Sequence, residues 1–165
     1  MLLDSINGSE SGNPKPTKSG KFKPTLTVRT DPSVKLRQYH RITLALMDVT
    51  GSKSVSGVAV YGIASGHLMN GEDQAAQALN SMQFELATIG FQIVDSQSEA
   101  QLFGEFSIGQ IRYDPIAGWI ADQAMLILKD TAGNIVAMFR AKSSGVTPTV
   151  NNLISQIAKA VRQNY

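Results

Sequence analysis

Gly90-Phe91-Gln92-Ile93-Val94-Asp95, followed by Glu99-Ala100-Gln101-Leu102-Phe103-Gly104-Glu105-Phe106, is the stretch that decides the fold. Ahead of it Ala75, Leu79, Met82, Leu86 and Ile89 recur at spacings of four, three, four and three, the single apolar stripe of an amphipathic helix. Asn70 stands at the N-cap position, with Glu72 and Asp73 close to the positive end of the helix dipole. Gly90 occupies the C′ position, where a left-handed residue ends a helix, and Phe91 follows at C″ to pack back on Leu86. A short strand at 91–95 comes next, then an Asp/Ser/Gln/Glu turn, then a long strand opening on Leu102-Phe103-Gly104. Helix and strands in this order specify an α/β architecture.

Working upstream, Ile42–Val49 is apolar on both alternating faces as far as Asp48, which predicts a strand covered on both sides. Gly51–Gly57 reads as a turn and Val58–Ala64 as a second strand, loosened by Gly62. Downstream, strands are predicted at 101–113, 119–129 and 135–142. The first of these changes phase: Leu102, Phe106 and Ile108 are even, whereas Ile111 and Tyr113 are odd, which places a bulge at Gly109-Gln110. Asp114–Gly118 turns the chain into Trp119, and Asp130–Asn134 is a hairpin loop with Gly133 free to take positive φ. The closing helix is read with Thr147 as N-cap and Pro148 at N1. Its stripe is Val150, Ile154, Ile157 and Val161, widened by Leu153 and Ala158, with Lys159 and Arg162 at the negative end of the dipole. Together these elements predict an α+β fold, a mainly antiparallel or mixed sheet of five to six strands with two amphipathic helices on one face.

The chain has 165 residues, 42% of them apolar and only 17% charged, which suits one domain with a core and a surface rich in uncharged polar groups. Cysteine is absent, excluding disulfides, thiolate nucleophiles, Cys-ligated zinc and a lipidated cysteine within these residues. No apolar run reaches the length of a bilayer span, and Met1-Leu2-Leu3-Asp4 lacks the features of a signal peptide. Residues 1–41 carry eight basic against three acidic groups, and the remainder seven against ten. Residues 1–25 are therefore expected to be a disordered basic linker, kept extended by Pro14, Pro16 and Pro24, ahead of a single domain at 26–165. Lys15, Lys18, Lys21 and Lys23 are candidate contacts for an anionic surface, membrane or cell wall, although a solvated linker explains them as well.

Chemistry-bearing patterns are sparse. His40 and His67 sit outside any metal spacing, and Gly-x-Ser-x-Gly does not occur. Gly51-Ser52-Lys53-Ser54 lacks both the Gly-Lys pair and the leading glycine of a phosphate loop. Asp48, Asp95, Glu105, Asp114 and Asp122 flank strand ends, where they serve as turn formers unless two converge as an acid/base pair of a hydrolase. No catalytic residue, cofactor or metal ligand is assigned. Arg112, Tyr113, Asp114 and Trp119 surround one Pro/Gly turn, and they include the residue types that dominate protein interfaces. They are the candidate protein-contact surface, set against a core tryptophan beside an Arg112–Asp114 surface pair. A cytoplasmic domain binding nucleic acid or a small ligand is the alternative, and the acidic body argues against nucleic acid.

Over residues 40–165 the order strand, strand, helix ending in Gly90-Phe91, strand ending at Asp95, then Glu99-Ala100-Gln101-Leu102-Phe103-Gly104-Glu105-Phe106 resembles small bacterial envelope lipoproteins. That group includes the curli-secretion-channel lipoprotein and the lipoprotein activators of penicillin-binding proteins. The resemblance implies a non-enzymatic accessory or assembly protein on the periplasmic face of the envelope, lipid-anchored in its native form. It implies protein partners, self-association among them, and no inherited active-site residues.

Overall fold

The structure, a computed structural model, describes residues 24–47 and 71–165. Helix α1 spans Gly71–Ile89 and buries Ala75, Ala78, Met82 and Leu86. It stops as its sequence requires. The Gly90 amide donates to the Ala87 carbonyl at 3.2 Å and the Phe91 amide to the Leu86 carbonyl at 3.1 Å, with Gly90 at φ +133°. These are the two bonds of a Schellman ending, and Leu86 and Phe91 are buried in one core cluster. The Asn70 cap, the Gly51–Gly57 turn, the Val58–Ala64 strand, Asp48, His67 and the linker lysines lie outside the described residues.

A six-stranded mixed sheet forms from β1 (Thr25–Thr30), β2 (Arg41–Met47), β3 (Gln92–Ile93), β4 (Leu102–Gly109), β7 (Gln123–Asp130) and β8 (Ile135–Lys142), in the order β1-β8-β7-β4-β2-β3. Strand β2 runs parallel to β3 and β4, and every other pairing is antiparallel. The register aligns Leu46, Phe106, Leu126, Phe139 and Val28 in one row across five strands. Phe106, Leu126 and Phe139 are fully buried there, and both helices pack on that face. The opposite face carries Phe103, Met125, Ile127 and Met138 among two polar links. Lys129 Nζ donates to Glu105 Oε1 at 2.7 Å, and Arg140 Nη2 donates to Gln123 Oε1 at 2.7 Å.

Helix α2 (Val150–Asn164) buries the whole expected stripe, but it begins two residues later than Thr147 and Pro148 predict. Thr149 is the N-cap, with its Oγ1 accepting from the Asn152 amide at 3.2 Å. Pro148 is held ahead of the helix because its carbonyl accepts from the Ala121 amide at 3.2 Å and Thr149 bridges to Ile120. Tertiary pairing thus takes the cap from one threonine and gives it to the next.

Four strand expectations need correction. The 91–95 strand shrinks to the two residues of β3. The 101–113 strand ends at Gly109, and the phase change is a corner rather than a bulge: Gln110 takes φ +52° and Arg112–Asp114 becomes β5, in a separate two-stranded sheet. The 119–129 strand divides in the same way into β6 (Gly118–Ile120) and β7, because Asp122 donates its amide to the Gly109 carbonyl and turns the chain back. Strand β2 is not covered on both sides; Ile42 is buried while Ala45 is exposed, since β2 lies one strand from the sheet margin. The 135–142 strand and the Gly133 loop (φ +85°) match expectation. Strand β1 (Thr25–Thr30) has no counterpart among the expected strands.

Candidate functional site

The corner at Gln110 lifts β5 and β6 out of the main sheet as a hairpin with Arg112 opposite Ile120, Tyr113 opposite Trp119 and Asp114 opposite Gly118. Cross-strand pairing brings the two aromatic rings edge to face, 5.4 Å between centroids at 68°. Asp114 shapes the turn. Its Oδ1 accepts the amides of Ile116 and Ala117, each at 2.8 Å, and Gly118 follows at φ +82°. The amides of Ala117 and Ile116 hold the Asp114 carboxyl below its ordinary value, with a smaller pull from the Arg112 charge. At the tip Ile116 is 98% exposed.

The base of the hairpin is braced. Arg112 Nη1 donates to Asp122 Oδ1 at 3.0 Å and Nη2 donates to Thr147 Oγ1 at 3.1 Å. The planar guanidinium therefore ties β5 both to the β6–β7 link and to the segment entering α2. The expected Arg112–Asp114 pair is replaced by Arg112–Asp122, because the turn amides already engage the Asp114 carboxylate. Trp119 is half-buried: it packs against the core and also borders a shallow hollow of about 300 Å³ with Gln74, Gln77 and Ser81 of α1 and Asn151 of α2. One side of this tryptophan is thus core, and the other is open to the hollow.

All four hairpin candidates thus come together on one projecting element. Sequence reasoning missed Ile116, whose position at the centre of a Pro/Gly turn was the available signal. It also missed Phe84, which lies on α1 off the buried stripe and is 72% exposed.

The acidic candidates are engaged separately. Glu105 binds Lys129, Asp122 binds Arg112, and Asp114 caps its turn. Asp95 and Glu105 border one open hollow of about 580 Å³ together with Asp130. Asp130 is committed to its own loop, accepting from the Asn134 side chain and from the amides of Asn134 and Ala132, and the Asn134 bonds lead in holding its carboxyl below the ordinary value. Among the described residues no group of three or more His, Cys, Asp or Glu is arranged to hold a metal ion. No described helix is long and apolar enough to cross a membrane.

No protein-family model matches the chain, and no curated protein does. Solved structures similar to it include three of low sequence identity. A PelC dodecamer from Paraburkholderia phytofirmans is 14% identical, covering 84% of this chain and 92% of that one at a TM-score of 0.48. A DUF4136 family protein from Bacteroides thetaiotaomicron is 9% identical, covering 86% and 94% at 0.48. A DUF330 protein from Xanthomonas campestris is 11% identical, covering 86% and 87% at 0.39. None of these three is named as a curli-secretion lipoprotein or an activator of penicillin-binding proteins. At such scores no property of theirs passes to this chain.

Proposed function

We propose that the domain is a non-enzymatic accessory or assembly module of the cell envelope, acting through protein–protein contact at the β5–β6 hairpin. One observation supports this most directly. A hairpin braced through Arg112 presents Ile116, 98% exposed, on the same element as the edge-to-face Tyr113–Trp119 pair. An aliphatic tip on an aromatic and arginine base has the composition of an interface anchor. The envelope location rests on the sequence pattern from Gly90 to Phe106.

Native cells are fractionated, and a photo-crosslinking residue is placed at the neighbouring exposed position 117, leaving position 116 free for substitution. The expected result is an envelope-fraction protein crosslinked to the domain, with the same protein lost on Ile116→Asp while the melting temperature is unchanged. Recovery of the native protein only from the cytoplasmic fraction overturns the location. Retention of the same partner by Ile116→Asp overturns the hairpin as its contact.

A further inference from the structure

We propose that strand β1 pairs with the same strand of a second copy, antiparallel and centred on Val28, so that two domains share one continuous sheet. Among the described residues β1 is an edge strand, and all six of its residues are exposed. The Asp31 amide donates to the Val136 carbonyl at 3.0 Å. With Thr30 opposite Ala137, antiparallel alternation then turns the backbone groups of Thr25, Thr27 and Arg29 toward β8. Those of Leu26, Val28 and Thr30 point away from the sheet.

Edges of this kind are usually blunted by lysine, proline or a bulge. Thr25-Leu26-Thr27-Val28-Arg29-Thr30 has none of these inside it, and Arg29 is its one charge. Pro24 and Pro32 bracket it, which limits the pairing to these six residues.

The register follows from those two prolines and from Arg29. Centring on Val28 sets Leu26 against Thr30, Val28 against itself and Thr30 against Leu26. Every outward group is then used, about six hydrogen bonds in all. Centring on Thr27 instead sets Thr30 against Pro24, which has no N–H to give. Centring on Arg29 places two guanidinium groups directly opposite each other and Leu26 against Pro32. Only the Val28 register avoids both faults, and it sets Arg29 opposite Thr27. Leu26 and Val28, 37% and 38% exposed on the helix-bearing face, gain cover from the second copy.

Among the described residues the far edge of the sheet is the two-residue β3, too short to receive β1 in a head-to-tail chain. A closed two-fold dimer results rather than a filament. This surface is separate from the hairpin and does not depend on its role.

Position 28 meets itself across the axis, which gives a test specific to this arrangement. Sedimentation equilibrium of the full chain over about 10 μM to 1 mM reads the association, since six paired residues make a small interface with weak affinity. The expected result is a reversible dimer. Val28→Lys and Val28→Glu should each be monomeric with unchanged melting, and their equimolar mixture should associate again. A wild-type chain that stays monomeric throughout overturns the proposal. So does dimerisation of both single variants at wild-type strength, or a mixture of folded variants that fails to associate.

A second readout covers loss of folding in those variants. The chain has no cysteine, so Val28→Cys introduces a single thiol at the axis. Directly paired Cα atoms lie about 5.5 Å apart, within disulfide reach. Oxidation should crosslink Val28→Cys at least tenfold faster than Arg29→Cys, whose symmetry mate is displaced along the strand. Equal rates overturn the register.

Discussion

Replacing Gly90 with alanine tests the feature on which the fold turns. Gly90 holds φ +133°, a backbone conformation that L side chains rarely adopt, and a Cβ there would meet Tyr165 Oη at 3.0 Å and its ring at 3.4 Å. Moving the tyrosine aside costs its ring contact. Its ring lies edge to face with Phe91 at 4.9 Å and 68°, and its backbone oxygen accepts from Arg37 Nε at 2.8 Å. Forcing the backbone costs about 1–3 kcal/mol. Displacing the ring loses about 0.5–1.5 kcal/mol of aromatic contact. A total of about 1.5–4.5 kcal/mol corresponds, for a domain of this size, to a fall of roughly 3–18 °C in melting temperature. Urea unfolding followed by far-UV circular dichroism measures the loss, and a cycle with Tyr165→Ala divides it. In the Tyr165→Ala background, Gly90→Ala should keep the backbone part, about 1–3 kcal/mol, and lose the rest. A Gly90→Ala chain within about 0.5 kcal/mol of wild type would refute the account of how this helix is stopped.

Asp31, Asp114 and Asp130 all have carboxyl groups held below their ordinary 3.8 by hydrogen bonds that favour the charged form, led respectively by the Ser33 hydroxyl, the Ala117 amide and the Asn134 side chain. A depressed folded-state value stabilises the fold above the unfolded value and loses that effect as pH falls through the folded one. The melting temperature should therefore hold down to about pH 5 and decline below about pH 4. Asp114→Asn should make that decline shallower, as read by thermal melts across the acid range. For Arg112→Met, the two partly exposed partners limit the stability loss to about 1 kcal/mol or less. Amide exchange across 112–120 should nevertheless quicken several-fold, because the link to Asp122 and Thr147 is gone; unchanged protection would remove the brace from the description of the hairpin.

Local signals in the sequence carried a good part of the fold. The α1 stripe and the Gly90-Phe91 ending are short-range properties, so they appear in the structure as read. Strand β8 and the Gly133 loop are legible for the same reason, because alternation and a positive-φ glycine act within a few residues. The misreadings share one cause. Gln110 carries nothing that marks a corner, and Thr147 followed by Pro148 is a sound cap signal taken alone. In each place a partner far along the chain decided: Gly109 with Asp122 at the corner, Ala121 and Ile120 at the α2 entrance.

The candidate site divides in the same way. Composition around one turn sufficed to group Arg112, Tyr113, Asp114 and Trp119. The sequence alone determined the residue types, the two amphipathic helices and most of the strand periodicity, because propensity and patterning act over a few residues. Only the tertiary structure decided that Arg112 takes Asp122, that Thr25–Thr30 joins the sheet as β1, and that Ile116 stands clear of the body. Those outcomes depend on which backbone and side-chain groups meet after strands distant in sequence have paired. That geometry is a property of the assembled sheet and of no single stretch of chain.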